Sequence, residues 1–192
     1  MLHRLPTLTR GILMSLGKVS GKLLGYDPEA VDALLDRVRR QYENPQSRIV
    51  TPSMLAVAKF DLVPAGYRID EVDAALAKIA DDFENREISQ RLERIGKLEL
   101  KRENRRLIGV IGEVLAREEA TRFTPSRNGY RPKQLNQLLD QIRIHEGVLL
   151  APEPMAIRTW ELGRAKGGPN KLEVNEFLAQ VVTALNTQRI LG

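Results

Sequence analysis

The chain has 192 residues, of which 42% are apolar, 5% aromatic and 29% charged, with a formal net charge of +5. That length fits one or two domains, and the scarcity of aromatics favours aliphatic helix packing over a β-sandwich. The absence of cysteine excludes disulfides, thiolate chemistry and cysteine-ligated metals and fits a reducing cytoplasm, and no apolar run approaches the ~20 residues that cross a bilayer.

Residues 1–26 contain no acid and carry Arg4, Arg10, Lys18 and Lys22, a cationic stretch suited to anionic partners. Within it, residues 11–17 form a short apolar run. It lacks the length and the small-residue cleavage site of a secretory signal, and predicts an entry helix instead.

At Gly25 begins GYDPEAVDALLDRV, a pattern that returns three times. The later copies are GYRIDEVDAALAKI from Gly66, GYRPKQLNQLLDQI from Gly129 and GPNKLEVNEFLAQV from Gly168. The shared signature is Gly25, Tyr26, Val31 and Asp32 in copy one, and Gly66, Tyr67, Val72 and Asp73 in copy two. It is Gly129, Tyr130, Leu135 and Asn136 in copy three, and Gly168, Val174 and Asn175 in copy four, where Pro169 replaces the tyrosine. The first and last spacings are nearly equal and the middle one is longer, which predicts two tandem pairs. A repeated unit must bury its apolar face against a neighbour, and repetition disfavours the asymmetric site of an enzyme.

After each Gly-Tyr position, apolar residues recur at i, i+3 or i+4, and i+7, one stripe of an amphipathic helix. Asp27-Pro28 reads as a cap followed by a first-turn proline, and Pro132 repeats that placement. Asp70 and Glu71 put negative charge at the positive end of a helix dipole. Thr51-Pro52 opens a further short helix. The expected fold is all-α, built from short helix–loop–longer helix units, with units one and two in 1–83, a basic helical connector in 84–117, and units three and four in 118–192. Ile88, Leu92 and Ile95 start a heptad-like seam that charges and Gly96, Gly109 and Gly112 interrupt, so the connector reads as an interrupted helix or two helices.

Four chemistries are set aside. Residues 163–171, GRAKGGPNK, lack the Lys-Ser/Thr ending of a phosphate loop and read as the loop of copy four. His3 and His145 have no metal or triad spacing; His145, near the end of the copy-three helix, reads as a surface or C-terminal helix residue. Asp81 and Asp82 are adjacent, so on a helix they point apart. Residues 86–106 are basic but contain no aromatic and are broken by glutamates, which argues against nucleic acid. No cofactor or metal is expected.

The repeated unit resembles the N-terminal domain of DivIVA, the bacterial cell-division and cell-pole scaffold. The likeness is densest in VTPSMLAVAKFDLVPAGYRIDEVDAALAKI, residues 50–79, and in EVNEFLAQV, residues 173–181. Tandem copies look like the actinobacterial DivIVA-domain repeat proteins. The resemblance implies a helical, non-enzymatic, cytoplasmic scaffold for cell division, polarity or envelope assembly. Its partners would be other division or polarity proteins, near the pole or septum. It also implies peripheral attachment to anionic membrane through the loop ahead of Gly-Tyr, where the family carries an apolar residue followed by arginine. The residues here are Lys18, Lys22, Leu23 and Leu24 in copy one, Leu62 and Val63 in copy two, Arg127 in copy three, and Trp160 and Lys166 in copy four. No copy keeps the apolar–arginine pair; only copy one keeps a bulky apolar tip. The family's long coiled coil does not follow copy four, so copies are expected to pair within the chain as protomers do between chains.

Overall fold

The computed structural model describes residues 16–44 and 47–192. Among them, helices dominate, and eight strands of two or three residues form four antiparallel pairs. The all-α expectation is therefore corrected to mostly helical with small sheets. Strands this short have no room for the apolar–polar alternation that betrays a strand in sequence. The chain divides into two compact units, Met1–Phe83 and Glu84–Gly192. Residues 84–117 thus belong to the second unit. The entry helix expected at 11–17, with Arg4, Arg10 and His3, lies outside the described residues apart from Leu16 and Gly17, which are not helical.

In the first unit, β1 (Leu24–Tyr26) runs into α1 (Pro28–Glu43). Asp27 caps α1 by accepting from the Glu29 amide at 3.2 Å, and Pro28 occupies the first turn, where no amide is needed. α2 (Pro52–Ala56) starts at Thr51, whose hydroxyl accepts from the Met54 amide at 3.2 Å. Next come β2 (Leu62–Pro64) and α3 (Ile69–Leu115). The stripe Val31, Leu34, Leu35 and Val38 of α1 shares one core with Val72, Leu76, Ile79 and Phe83 of α3. Tyr26 meets Tyr67 at one end of this pair and the Tyr42 ring lies 4.8 Å from that of Phe83 at the other, so the two helices run parallel.

A parallel pair within one chain requires a return path, and Gln41 fixes it. Its Nε2 donates to the Val50 carbonyl at 2.6 Å and its Oε1 accepts from the Val50 amide at 2.7 Å, all buried. Gln41→Ala leaves a buried amide and carbonyl without partners and is expected to cost about 2 kcal/mol. A lowered urea midpoint with unchanged slope checks it; an unmoved midpoint would show that the return path is held elsewhere.

In the second unit, α3 is broken at Gly96, whose φ of 79° and ψ of 161° lie far from helical values. Arg91 and Glu103 form an ion pair at 2.5 Å. In a straight helix they would stand about 18 Å apart, so the chain folds back at Gly96. Ile88 and Leu100 then close on Leu191. Gly109 and Gly112 remain helical.

There follow a 3₁₀ turn (Glu119–Thr121), β3 (Pro125–Ser126), β4 (Gly129–Tyr130) and α4 (Pro132–Leu139). The chain continues through β5 (Arg143–His145), β6 (Val148–Leu150) and α5 (Pro154–Arg158) to β7 (Arg164–Ala165), β8 (Gly168–Pro169) and α6 (Lys171–Leu191). The core gathers Ile108 and Ile111 of α3, Leu135, Leu138 and Leu139 of α4, and Val174, Phe177 and Val181 of α6. The main helices of the copies are unequal: α4 has 8 residues against 16 in α1 and 21 in α6.

His145 is a surface residue and lies on β5 rather than at a helix end. Glu146 and Gly147 both have positive φ, 50° and 77°, as the first type of primed hairpin turn requires. Gln188 holds this hairpin as Gln41 holds Val50: it accepts from the Leu149 amide at 2.8 Å and donates to the Leu149 carbonyl at 3.1 Å.

Candidate functional site

Each unit brings its two Gly-Tyr positions into a backbone crossing. A Cβ on Gly66 would lie 2.5 Å from the Gly25 carbonyl oxygen; one on Gly25 would lie 2.7 Å from the Gly66 carbonyl carbon. A Cβ on Gly129 would collide with the Gly168 backbone, and one on Gly168 with the Tyr130 carbonyl. All four glycines are thus required by close approach of another strand.

The hydrogen bonds follow one scheme in both units. In the first, β1 pairs with β2, and the partner arm at 17–19 pairs with 66–68 through Val19 N–H to Gly66 O at 2.9 Å and Arg68 N–H to Gly17 O at 2.9 Å. Tyr26 and Tyr67 also exchange backbone bonds, at 2.9 and 2.8 Å. In the second, β4 pairs with β7 and β3 with β8. Each hairpin is therefore paired with the hairpin of the other copy.

The remaining signature residues complete this exchange. The Tyr67 hydroxyl of copy two donates to Asp32 of copy one at 3.2 Å. Tyr26 of copy one and Asp73 of copy two influence each other electrostatically across the same junction. The Tyr130 hydroxyl of copy three donates to Asn175 of copy four at 2.9 Å. Copy four has Pro169 in place of tyrosine, and Asn136 instead donates to Glu119. The Gly-Tyr and Asp/Asn signature thus joins copies to one another.

One further position had no signal beyond the helix dipole. The Glu71 carboxylate accepts from the Gly17 amide at 2.6 Å, 54 residues away. Glu173 accepts from the Thr124 amide at 2.7 Å, and Gln134 from the Gly163 amide at 2.7 Å. Each lies five residues after its signature glycine and ties down the other copy's hairpin; copy one has Ala30 there. The Thr124 amide draws the Glu173 carboxyl below its ordinary pKa.

Burial, reinforced by the charge of Asp73, raises the Tyr26 hydroxyl above its ordinary 10.0. Burial and then Asp32 do the same for Tyr67. Partial loss of water raises Asp73, against the lowering effect of its Tyr26 bond. The folded first unit keeps both tyrosines protonated where the unfolded chain would ionise. Its stability from this source is complete below pH 10.0 and is lost as pH rises through the raised values. Tyr26→Phe with Tyr67→Phe is expected to flatten the fall in stability above that pH. Urea titrations at successive pH values measure it; an equally steep fall in the double variant would assign the titration to other groups.

The crossings sort the predicted loop residues. In the first unit, Lys18, Lys22, Leu23, Leu24, Leu62 and Val63 come together on the crossed hairpins. Leu23 is 63% and Leu24 54% exposed, and the Leu23 carbonyl accepts from the Ala65 amide at the neighbouring turn. Lys22 is exposed, and the Lys18 ammonium lies 5.5 Å above the Tyr67 ring. In the second unit, Arg127 and Lys166 occupy the two hairpin turns, both exposed. Trp160 does not join them; it is half-buried against the second core. Residues 163–171 form the β7–β8 hairpin and the start of α6. Asp82 accepts from the Tyr42 hydroxyl at 3.4 Å. Among the described residues, no helix is long and apolar enough to cross a membrane.

No family model, curated protein or solved structure matches the chain.

Proposed function

We propose that this chain is a non-enzymatic adaptor of DivIVA type, serving cell division, polarity or envelope assembly by binding other proteins at the inner face of the cell membrane near pole or septum. Support comes from how the repeated residues are used. The signature glycines and the Tyr67–Asp32 and Tyr130–Asn175 pairs are consumed in joining copies. What differs between copies is carried by exposed turns, and a molecule whose variable chemistry lies on its surface is suited to docking.

A second reading has its own observation. Leu23 and Leu24 stand exposed beside Lys18 and Lys22 on the first unit's crossing, which suits direct contact with anionic lipid. Burying one leucine contributes about 1.5–3 kcal/mol at most, and each basic residue near an anionic leaflet adds roughly 1 kcal/mol, so such attachment is weak and reversible. Co-sedimentation with anionic and with neutral vesicles separates the readings. Binding to anionic vesicles alone, lost in Leu23→Ser/Leu24→Ser and weakened by salt, supports direct lipid contact. Absence of vesicle binding leaves protein docking.

A further inference from the structure

The two crossings share a backbone scheme but differ in surface charge. Residues 122–133 hold four basic residues and residues 164–171 three, and neither segment contains an acid. The second crossing gathers them. β4 lies against β7 and β3 against β8, the Gly167 amide donates to the Ser126 carbonyl at 2.9 Å, and Arg131 Nε donates to the Arg164 carbonyl at 3.3 Å. Arg127, Arg131, Lys133, Arg164 and Lys166 are exposed, and none has an ion-pair partner among the described residues. Glu119, Glu161 and Glu173 border the two segments, and Glu173 is turned onto the Thr124 amide. The face stays positive.

The first crossing supplies an internal comparison. There Arg68, in the position of Arg131, pairs at 3.0 Å with both Asp70 and Glu71. Copy three has Lys133 and Gln134 in the places of those acids. Gln134 still accepts from the Gly163 amide, as Glu71 does from the Gly17 amide. The bond that ties down the hairpin is kept, while both negative charges are gone and one is replaced by a positive charge. The fold does not require this positive face, so its charge is free to serve a partner.

Several anionic partners compete for such a face. Exposed cations gain little from discrete carboxylates, so an acidic protein segment would need apolar contact as well. The turns Arg127–Asn128 and Lys166–Gly167 offer none. For the same reason they have nothing to insert into a bilayer, unlike the exposed Leu23 and Leu24 of the first crossing. A nucleic-acid duplex carries one negative charge per ~1.7 Å of its axis and releases condensed counterions to exposed cations, so it gains where the others do not. Unpaired strands need an aromatic platform, and the Lys171 ammonium covers the Tyr130 ring at 5.3 Å. Exposed turns fit the ~12 Å major groove of B-form DNA and not the deep, narrow one of duplex RNA.

We infer that the second crossing binds the backbone of double-stranded DNA without sequence preference, through Arg127, Arg131, Lys133, Arg164 and Lys166. This activity goes beyond the adaptor reading and does not rest on it.

Fluorescence anisotropy of the full chain with two DNA duplexes of unrelated sequence tests it. Duplex RNA, oligothymidylate and polyglutamate of matched length serve as controls, with co-sedimentation on phosphatidylglycerol vesicles alongside. Both DNA duplexes are expected to bind equally, and more tightly than any control. Arg127→Ser with Lys166→Ser should weaken DNA binding by at least about tenfold and leave thermal unfolding unchanged. It should also lower the slope of log affinity against log salt by about 2, at ~0.9 per lost phosphate contact. Lys101→Ser with Arg105→Ser removes the same charge from α3 and should have a far smaller effect. Equal loss in the two variants would reduce the binding to net charge and overturn the crossing as a site. Equal or tighter binding of a control would overturn the assignment to DNA. Vesicle binding lost in the Arg127→Ser/Lys166→Ser variant, with DNA binding unmoved, would assign the face to lipid instead.

Discussion

Gly129→Ala is expected to destabilise the second unit by at least about 3 kcal/mol, at the upper end of overpacking costs. The added methyl would point into the Gly168 backbone rather than into a side chain that can turn away. The crossing would have to part, and with it the β3–β8 and β4–β7 pairs. Gly109→Ala supplies the opposite case within the same unit. Gly109 lies in a helix with nothing within 4 Å of an added Cβ, so alanine should stabilise by about 1 kcal/mol through helix propensity alone. Thermal unfolding of the two variants should move in opposite directions; a harmless Gly129→Ala would refute the close crossing.

Glu84→Ala is expected to cost about 3–5 kcal/mol, the usual range for removing one partner of a buried ion pair. Glu84 is 8% exposed and accepts from Arg158, from the Thr183 hydroxyl, and from the Asn186 amide at 3.3 Å. Removing the carboxylate takes one ion-pair partner from a guanidinium whose side chain is 10% exposed. Combining Glu84→Met with Arg158→Leu should recover much of the loss, because the buried guanidinium is removed together with the carboxylate. A Glu84→Ala midpoint equal to the parent's would show that the pair is solvated in solution.

Neither Glu84 nor Arg158 was legible in the sequence. They are 74 residues apart, and a glutamate at the head of a charged stretch reads as a solvated face. The helix positions were legible, because α1, α3 and α6 each follow a capping or acidic first turn, and α4 a first-turn proline, with a periodic apolar stripe. The end of α4 was not: Ile142 continues the helical period yet lies beyond the helix, buried by the turn into β5. The fold-back at Gly96 was visible only as a loss of helicity, since one glycine in a charged helix does not announce its φ. Of the candidate site, the recurrence of Gly, Tyr and Asp/Asn was plain. The partners were hidden because Tyr67 reaches Asp32 across 35 residues and Tyr130 reaches Asn175 across 45. Trp160 looked like a loop residue from its place ahead of Gly168, but the α5 turn folds it onto the core.

The central claim is that the copies interlock in pairs within one chain. Nuclear Overhauser contacts between the α-protons of Gly25 and Gly66, and of Gly129 and Gly168, test it most directly. They are best recorded on uniformly labelled protein and again on a mixture of labelled and unlabelled chains filtered for contacts between chains. Both contacts should appear in the first experiment and vanish in the filtered one. Their absence from the first, or their survival in the second, would contradict pairing within the chain.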